Sequence, residues 1–134
     1  MPQRPYILII DDDEDDRDML SSAIHDIDPQ FKCLLAANGD EALTGLRLNH
    51  FPKPELIFLD LNMPRLTGLQ LLKELKKDRV LQEIPVVIYS TSNTNEDKAA
   101  CMELGAVHFI TKPTSYKVLK RMISDVLVTE LLIR

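Results

Sequence analysis

The feature that most constrains this chain is the junction at residue 10. Ile7-Leu-Ile-Ile10 is a short apolar run, and it stops at the six consecutive carboxylates of Asp11–Asp16. Six adjacent acids cannot all be buried, and they repel one another in a compact domain. A buried strand delivering carboxylates to a cation at its C-terminal end resolves both problems. In open α/β sheets the ligand crevice lies outside the carboxyl ends of the strands.

The acidity is local. Net charge is −5, yet removing those six from the 21 acids leaves 15 against 16 bases. No basic face is expected, which argues against nucleic acid as a partner. The apolar run after Arg4 is shorter than the roughly 7–15 residues of a signal-peptide core. Nothing approaches the ~20 residues of a membrane span. Cys33 and Cys101 have neither metal-ligand nor CxxC spacing. They read as buried free thiols in a reducing, cytoplasmic compartment.

Down the chain, strand and helix signals alternate. Tyr6–Ile10 reads as a fully buried strand. Leu20, Ala23, Ile24 and Ile27 follow at helical spacing, with acids in the first turn where the helix dipole favours them. Phe31–Ala36 is a second strand, Asn38-Gly39-Asp40 a turn and N-cap, and Glu41–Leu48 a helix. Leu56–Leu59 is a third strand ending at Asp60, followed by a loop framed by Pro64 and Gly68. Leu69, Leu72 and Leu75 mark the third helix. Val86–Tyr89 is the fourth strand, ending in Ser90-Thr-Ser-Asn93, and Glu96–Leu104 a weaker helix closed by Gly105. Val107–Ile110 is the fifth strand, ending at Thr111-Lys112-Pro113. A helix from about Thr114 runs to the end of the chain. Five strand–helix units joined by right-handed crossovers give a doubly wound (βα)5 parallel sheet, with residues 1–134 as one domain.

Asp11, Asp12, Asp13, Asp60, Asn62, Ser90, Thr91 and Lys112 therefore all arrive at one end of the sheet. Clustered carboxylates suit a hard divalent cation such as Mg²⁺. Lys112 supplies a fixed positive charge able to hold a phosphoryl oxygen, and Ser90 a hydroxyl. A carboxylate can also be the nucleophile in phosphoryl transfer. Asp60, between the acids and Lys112, is the best placed. Asp13, Glu14, Asp15 and Asp16 read instead as a solvated helix N-terminus. His25, His50 and His108 read as structural, with His108 pointing outward.

Asp11-Asp12, Asp60 in Leu-Asp-Leu-Asn-Met-Pro, Ser90 after four apolar residues, and Lys112-Pro113 resemble the receiver domain of two-component response regulators, over the whole chain. The resemblance implies a flavodoxin-like, CheY-like sheet of order 2-1-3-4-5. It implies that Asp60 accepts a phosphoryl group. Asp12, Asp60 and the Asn62 carbonyl would ligate Mg²⁺, with Asp11 assisting through water. Lys112 and Ser90 would hold phosphoryl oxygens, and Ser90 and Phe109 would act as the switch pair. Phe109 stands where a Tyr is often found. The resemblance further implies a cis Lys112–Pro113 peptide bond. Its implied partners are a histidine kinase or phosphotransfer protein and a downstream protein bound at the face of the fourth helix, fifth strand and fifth helix. A stand-alone regulator, monomeric or weakly dimeric, is expected, with no catalysis beyond its own phosphorylation and dephosphorylation.

Three other readings fit less well. A haloacid dehalogenase-type phosphatase shares the Asp-x-Asp element, but Asp15 stands where that family has Thr or Val. An EF-hand shares Asp11-x-Asp13-x-Asp15, but Asp16 occupies its Gly position and Ser22 its bidentate Glu. FMN binding needs a hydroxyl- and amide-rich cradle after the first strand, which is missing.

Overall fold

A computed structural model describes residues 5–132. Its five strands are β1 (Tyr6–Ile10), β2 (Lys32–Ala36), β3 (Leu56–Leu59), β4 (Val86–Ser90) and β5 (His108–Thr111). The helices α1 (Glu14–Ile27), α2 (Gly39–Arg47), α3 (Gly68–Lys77), α4 (Asn95–Glu103) and α5 (Tyr116–Leu127) alternate with them. All pairings are parallel, in the order β2-β1-β3-β4-β5. The flavodoxin-like order expected from the sequence is thus the observed one.

The continuous apolar strands are explained by burial on both sides. Alternate residues enter opposite cores. Leu8, Ile10, Ile57, Leu59, Val86 and Ile88 pack under α2, α3 and α4. Ile7, Ile9, Leu56, Phe58, Val87 and Tyr89 pack under α1 and α5. Phe58, 1% exposed, contributes about 1.5–3 kcal/mol by leaving water.

The helix ends follow their sequence signals. Asn38 caps α2 by accepting the Glu41 N–H at 2.8 Å. Gly105, at φ +101, lets the chain leave α4 in the left-handed conformation. The Gly105 N–H then donates to Met102 and the Ala106 N–H to Cys101, each at 3.0 Å. α5 ends at Leu127 rather than running on, and a π-helical turn, Val128–Leu132, follows. The last two residues of the helix expected there lie outside the described residues. His108 does not point freely outward: its Nε2 lies 3.0 Å from Glu130 Oε2 in that turn. Cys101 is buried as expected, whereas Cys33 is only half-buried. Among the described residues, no helix is long and apolar enough to cross a membrane.

Candidate functional site

Strand order reverses between β1 and β3, which opens a crevice beyond their carboxyl ends. Backbone hydrogen bonds run on past the strands and fix where the site residues start. Asp11 N–H donates to Ala36 (3.1 Å), Asp60 N–H to Ile10 (3.0 Å) and Lys112 N–H to Ser90 (2.7 Å). The loop after Asp60 returns so closely that a Cβ at Gly68 would lie 2.2 Å from the Asp60 carbonyl oxygen. Only glycine fits there, so the start of α3 presses directly on the Asp60 backbone.

Asp11 (2% exposed), Asp60 (5%) and Ser90 (0%) are buried polar residues, while Asp12 and Asn62 are exposed. Asp11, Asp12 and Asp60 each offer a carboxylate oxygen within 4.8 Å of the others. Lys112 Nζ donates to Asp11 Oδ2 and Asp16 Oδ2, both at 2.8 Å, and stands 3.7 Å from Asp60 Oδ2. It also lies 5.3 Å from the centre of the Tyr89 ring. Asn62 Nδ2 reaches the Ser90 hydroxyl at 3.4 Å and Thr91 Oγ1 at 3.5 Å, and the Asn62 N–H reaches Asp60 Oδ1 at 3.4 Å.

Burial raises the Asp60 carboxyl to about 6; Lys112 opposes the rise and Asp11 adds to it. For Lys112, burial would pull the pKa down, but the hydrogen bonds to Asp11 and Asp16 more than offset it and hold the amine above its ordinary value. Burial likewise pushes Tyr89 to about 12, so it remains a neutral ring beneath the ammonium. One fixed cation thus faces Asp11, Asp16 and Asp60. An all-oxygen set of three carboxylates, open to solvent at Asp12, fits a hard divalent cation, which would relieve the disfavoured charge on Asp60.

Asp11, Asp12, Asp60, Asn62, Ser90 and Lys112 therefore gather as their order in the chain predicts. Asp13 does not join them: its carboxylate caps α1, accepting the Asp16 N–H at 3.1 Å. Asp15 is exposed, so the acids expected of an EF-hand do not converge. Phe109 is half-buried on the α3–α4 side, with the Lys98 amine 6.0 Å from its ring centre.

Two expectations fail. Asp16 is a Lys112 partner and not merely a solvated first-turn acid, because the first turn of α1 passes beside the end of β5. No peptide bond among the described residues is cis, so Lys112–Pro113 is trans. Lys112 is aimed instead by the extension of β5 along β4 and by its two carboxylate partners. The sequence also gave no sign of Arg17, whose Nη1 donates to the Asp11 carbonyl at 2.8 Å, or of Tyr89 under Lys112. The Tyr89 contact depends on tertiary packing, the Arg17 contact is made within the β1–α1 junction, and neither residue stands out by spacing.

A family model described as the response regulator receiver domain matches residues 7–124. The two-component response regulator ORR5 of Oryza sativa subsp. japonica is 36% identical over 123 residues, which make up 92% of this chain and 89% of that protein. Among solved structures, the phosphorylated cyanobacterial phytochrome response regulator RcpA aligns at TM-score 0.91 and 27% identity, covering 98% of this chain and 97% of its own. The Mn²⁺-bound form of response regulator Rcp1 aligns at TM-score 0.83 and 28% identity, covering 92% of each chain.

Proposed function

This chain belongs to the response regulator receiver family, and we propose that it works there as a cytoplasmic phosphoacceptor. Asp60 takes a phosphoryl group from a histidine kinase or phosphotransfer protein. The observation that carries this is the placement of Asp60: buried, beside two further carboxylates, and 3.7 Å from the Lys112 ammonium.

In the transfer, an Asp60 carboxylate oxygen attacks the phosphorus of a phosphohistidine. The new P–O bond forms as the P–N bond breaks. The imidazole nitrogen leaves with that electron pair and takes a proton from solvent. Mg²⁺ held by Asp12, Asp60 and the Asn62 carbonyl, with Asp11 behind them, would screen the charge gathering on the phosphoryl oxygens. Lys112 takes one of those oxygens and the Ser90 hydroxyl another. Hydrolysis of the acyl phosphate resets the domain.

Output runs through Ser90 and Phe109. The acyl phosphate carries roughly −1.5 to −2 of charge where the carboxylate carried −1, and it brings three new acceptor oxygens. Ser90 is a fully buried hydroxyl at the end of β4 and moves toward them. Phe109, on the neighbouring strand, rotates into the space left behind. The face of α4, β5 and α5, where Met102, Val107 and Val118 are exposed apolar residues, is thereby remodelled for a protein partner.

Acetyl phosphate with Mg²⁺, followed by intact mass measurement, tests the assignment. The wild type gains one labile phosphoryl group and Asp60→Asn gains none. Undiminished labelling of Asp60→Asn refutes the assignment, and steady turnover of generic phosphate esters would favour a phosphatase.

A further inference from the structure

Asp16 does more than its place in the helix requires. It is the third residue of α1, where an acid or amide commonly turns back to the N-cap N–H in a reciprocal box. α3 is built that way: Thr67 N–H donates to Gln70 Oε1 at 2.9 Å, and Gln70 N–H to Thr67 Oγ1 at 3.2 Å. At α1 the Asp13 N–H is already taken by Asp11 Oδ1 at 2.9 Å. The Asp16 carboxylate is therefore released from capping, and it crosses to Lys112 Nζ at 2.8 Å.

This contact competes with the chemistry proposed for Asp60. Lys112 is within hydrogen-bond distance of Asp11 and Asp16 but stands 3.7 Å from Asp60. Resting on the reading of Asp60 as phosphoacceptor, we propose that Asp16 is a positioning residue acting through Lys112. It parks the ammonium on the α1 side of the site and must release it before Lys112 closes on a phosphoryl oxygen. Of the two short contacts, Asp16 is the one that yields. Its side chain is 33% exposed, against 3% for Asp11, so water can replace Lys112 at Asp16 but not at Asp11. Asp16 is thus a brake on phosphorylation that belongs to this chain's own acidic run.

Asp15 supplies the control. It is an exposed acid in the same turn, so Asp15→Asn removes the same charge without touching Lys112. Initial rates of labelling by acetyl phosphate at saturating Mg²⁺ should rise about three- to tenfold in Asp16→Asn, the worth of one half-exposed charged contact. Asp16→Glu, which keeps the carboxylate, and Asp15→Asn should both stay within about twofold of wild type. The ¹⁵N resonance of Lys112 Nζ, followed without any phosphodonor, should shift in Asp16→Asn and hold still in Asp15→Asn. Wild-type labelling in Asp16→Asn, an equal rise in Asp15→Asn, or an unmoved Lys112 resonance each overturns the proposal. Labelling that survives Asp60→Asn overturns the phosphoacceptor reading instead, and the resonance still decides whether Asp16 holds Lys112.

Discussion

The strand ends around Asp60 and the helix α4 sit side by side but are held very differently. Beyond β1 and β3, buried Asp11 is fixed by a short charge-assisted bond to Lys112, Asp11 and Asp60 both by backbone bonds to neighbouring strands, and Asp60 also by α3 pressing through Gly68. α4 buries one residue completely, Cys101, and its start is tied down by the Thr94 cap and a Ser92–Asp97 hydrogen bond. The difference separates two tasks. Groups that must meet a reacting atom belong on the over-determined side. A surface that changes with state belongs where few apolar contacts resist opening.

The largest effect that would test this contrast is on stability. Leu59→Ala, in the core behind Asp60, should cost about 2–5 kcal/mol, while Cys101→Ala should cost about 1 kcal/mol. Denaturant midpoints measure both, and equal losses would remove the contrast. Next comes cation binding. Asp12→Ala should weaken Mg²⁺ affinity at least about tenfold and Asp15→Ala hardly at all, read by calorimetry. Equal losses would make the acidic run a diffuse counterion sink.

A pH effect of similar size follows from Asp60. Its carboxyl lies at about 6 in the fold against an ordinary 3.8. A raised value means that the group's contribution to stability is present below 3.8 and lost as pH rises through about 6. The metal-free protein should therefore lose on the order of 1–2 kcal/mol across that window, and Asp60→Asn should flatten the loss. A wild-type stability profile with no fall there would show that the site bears its charge without strain. The smallest effect is on rate. Ser90→Ala should stay within about threefold of wild-type labelling, since it removes one hydroxyl contact. It should nonetheless abolish the amide shifts that a phosphoryl mimic induces at Phe109 and in α4. Unchanged shifts would route the signal past Ser90.

Much of this was legible in the chain because parallel strands buried on both faces leave unbroken apolar runs. Ile7–Ile10, Leu56–Leu59 and Val86–Tyr89 each announce a strand, and the residue after each run announces the site. Alternation of strand and helix then places Asp11, Asp60, Ser90 and Lys112 at one edge without knowledge of any contact. What stayed hidden is what depends on side chains meeting across elements. Asp16 looks like its solvated neighbours until β5 brings Lys112 beside it. The pairing of His108 with Glu130 depends on a turn that departs from α5, and hydrophobic period alone continues the helix through it.

The Lys112–Asp11 bond joins residues 101 positions apart. During synthesis the N-terminal strands emerge first. The acids after β1 and β3 can therefore gather while the Lys112 ammonium that faces them has yet to be made. Such a partial domain holds uncompensated negative charge at its crevice and repels anionic donors. Readiness for chemistry at this edge thus reports that the chain has been made through β5 and that β5 is in register.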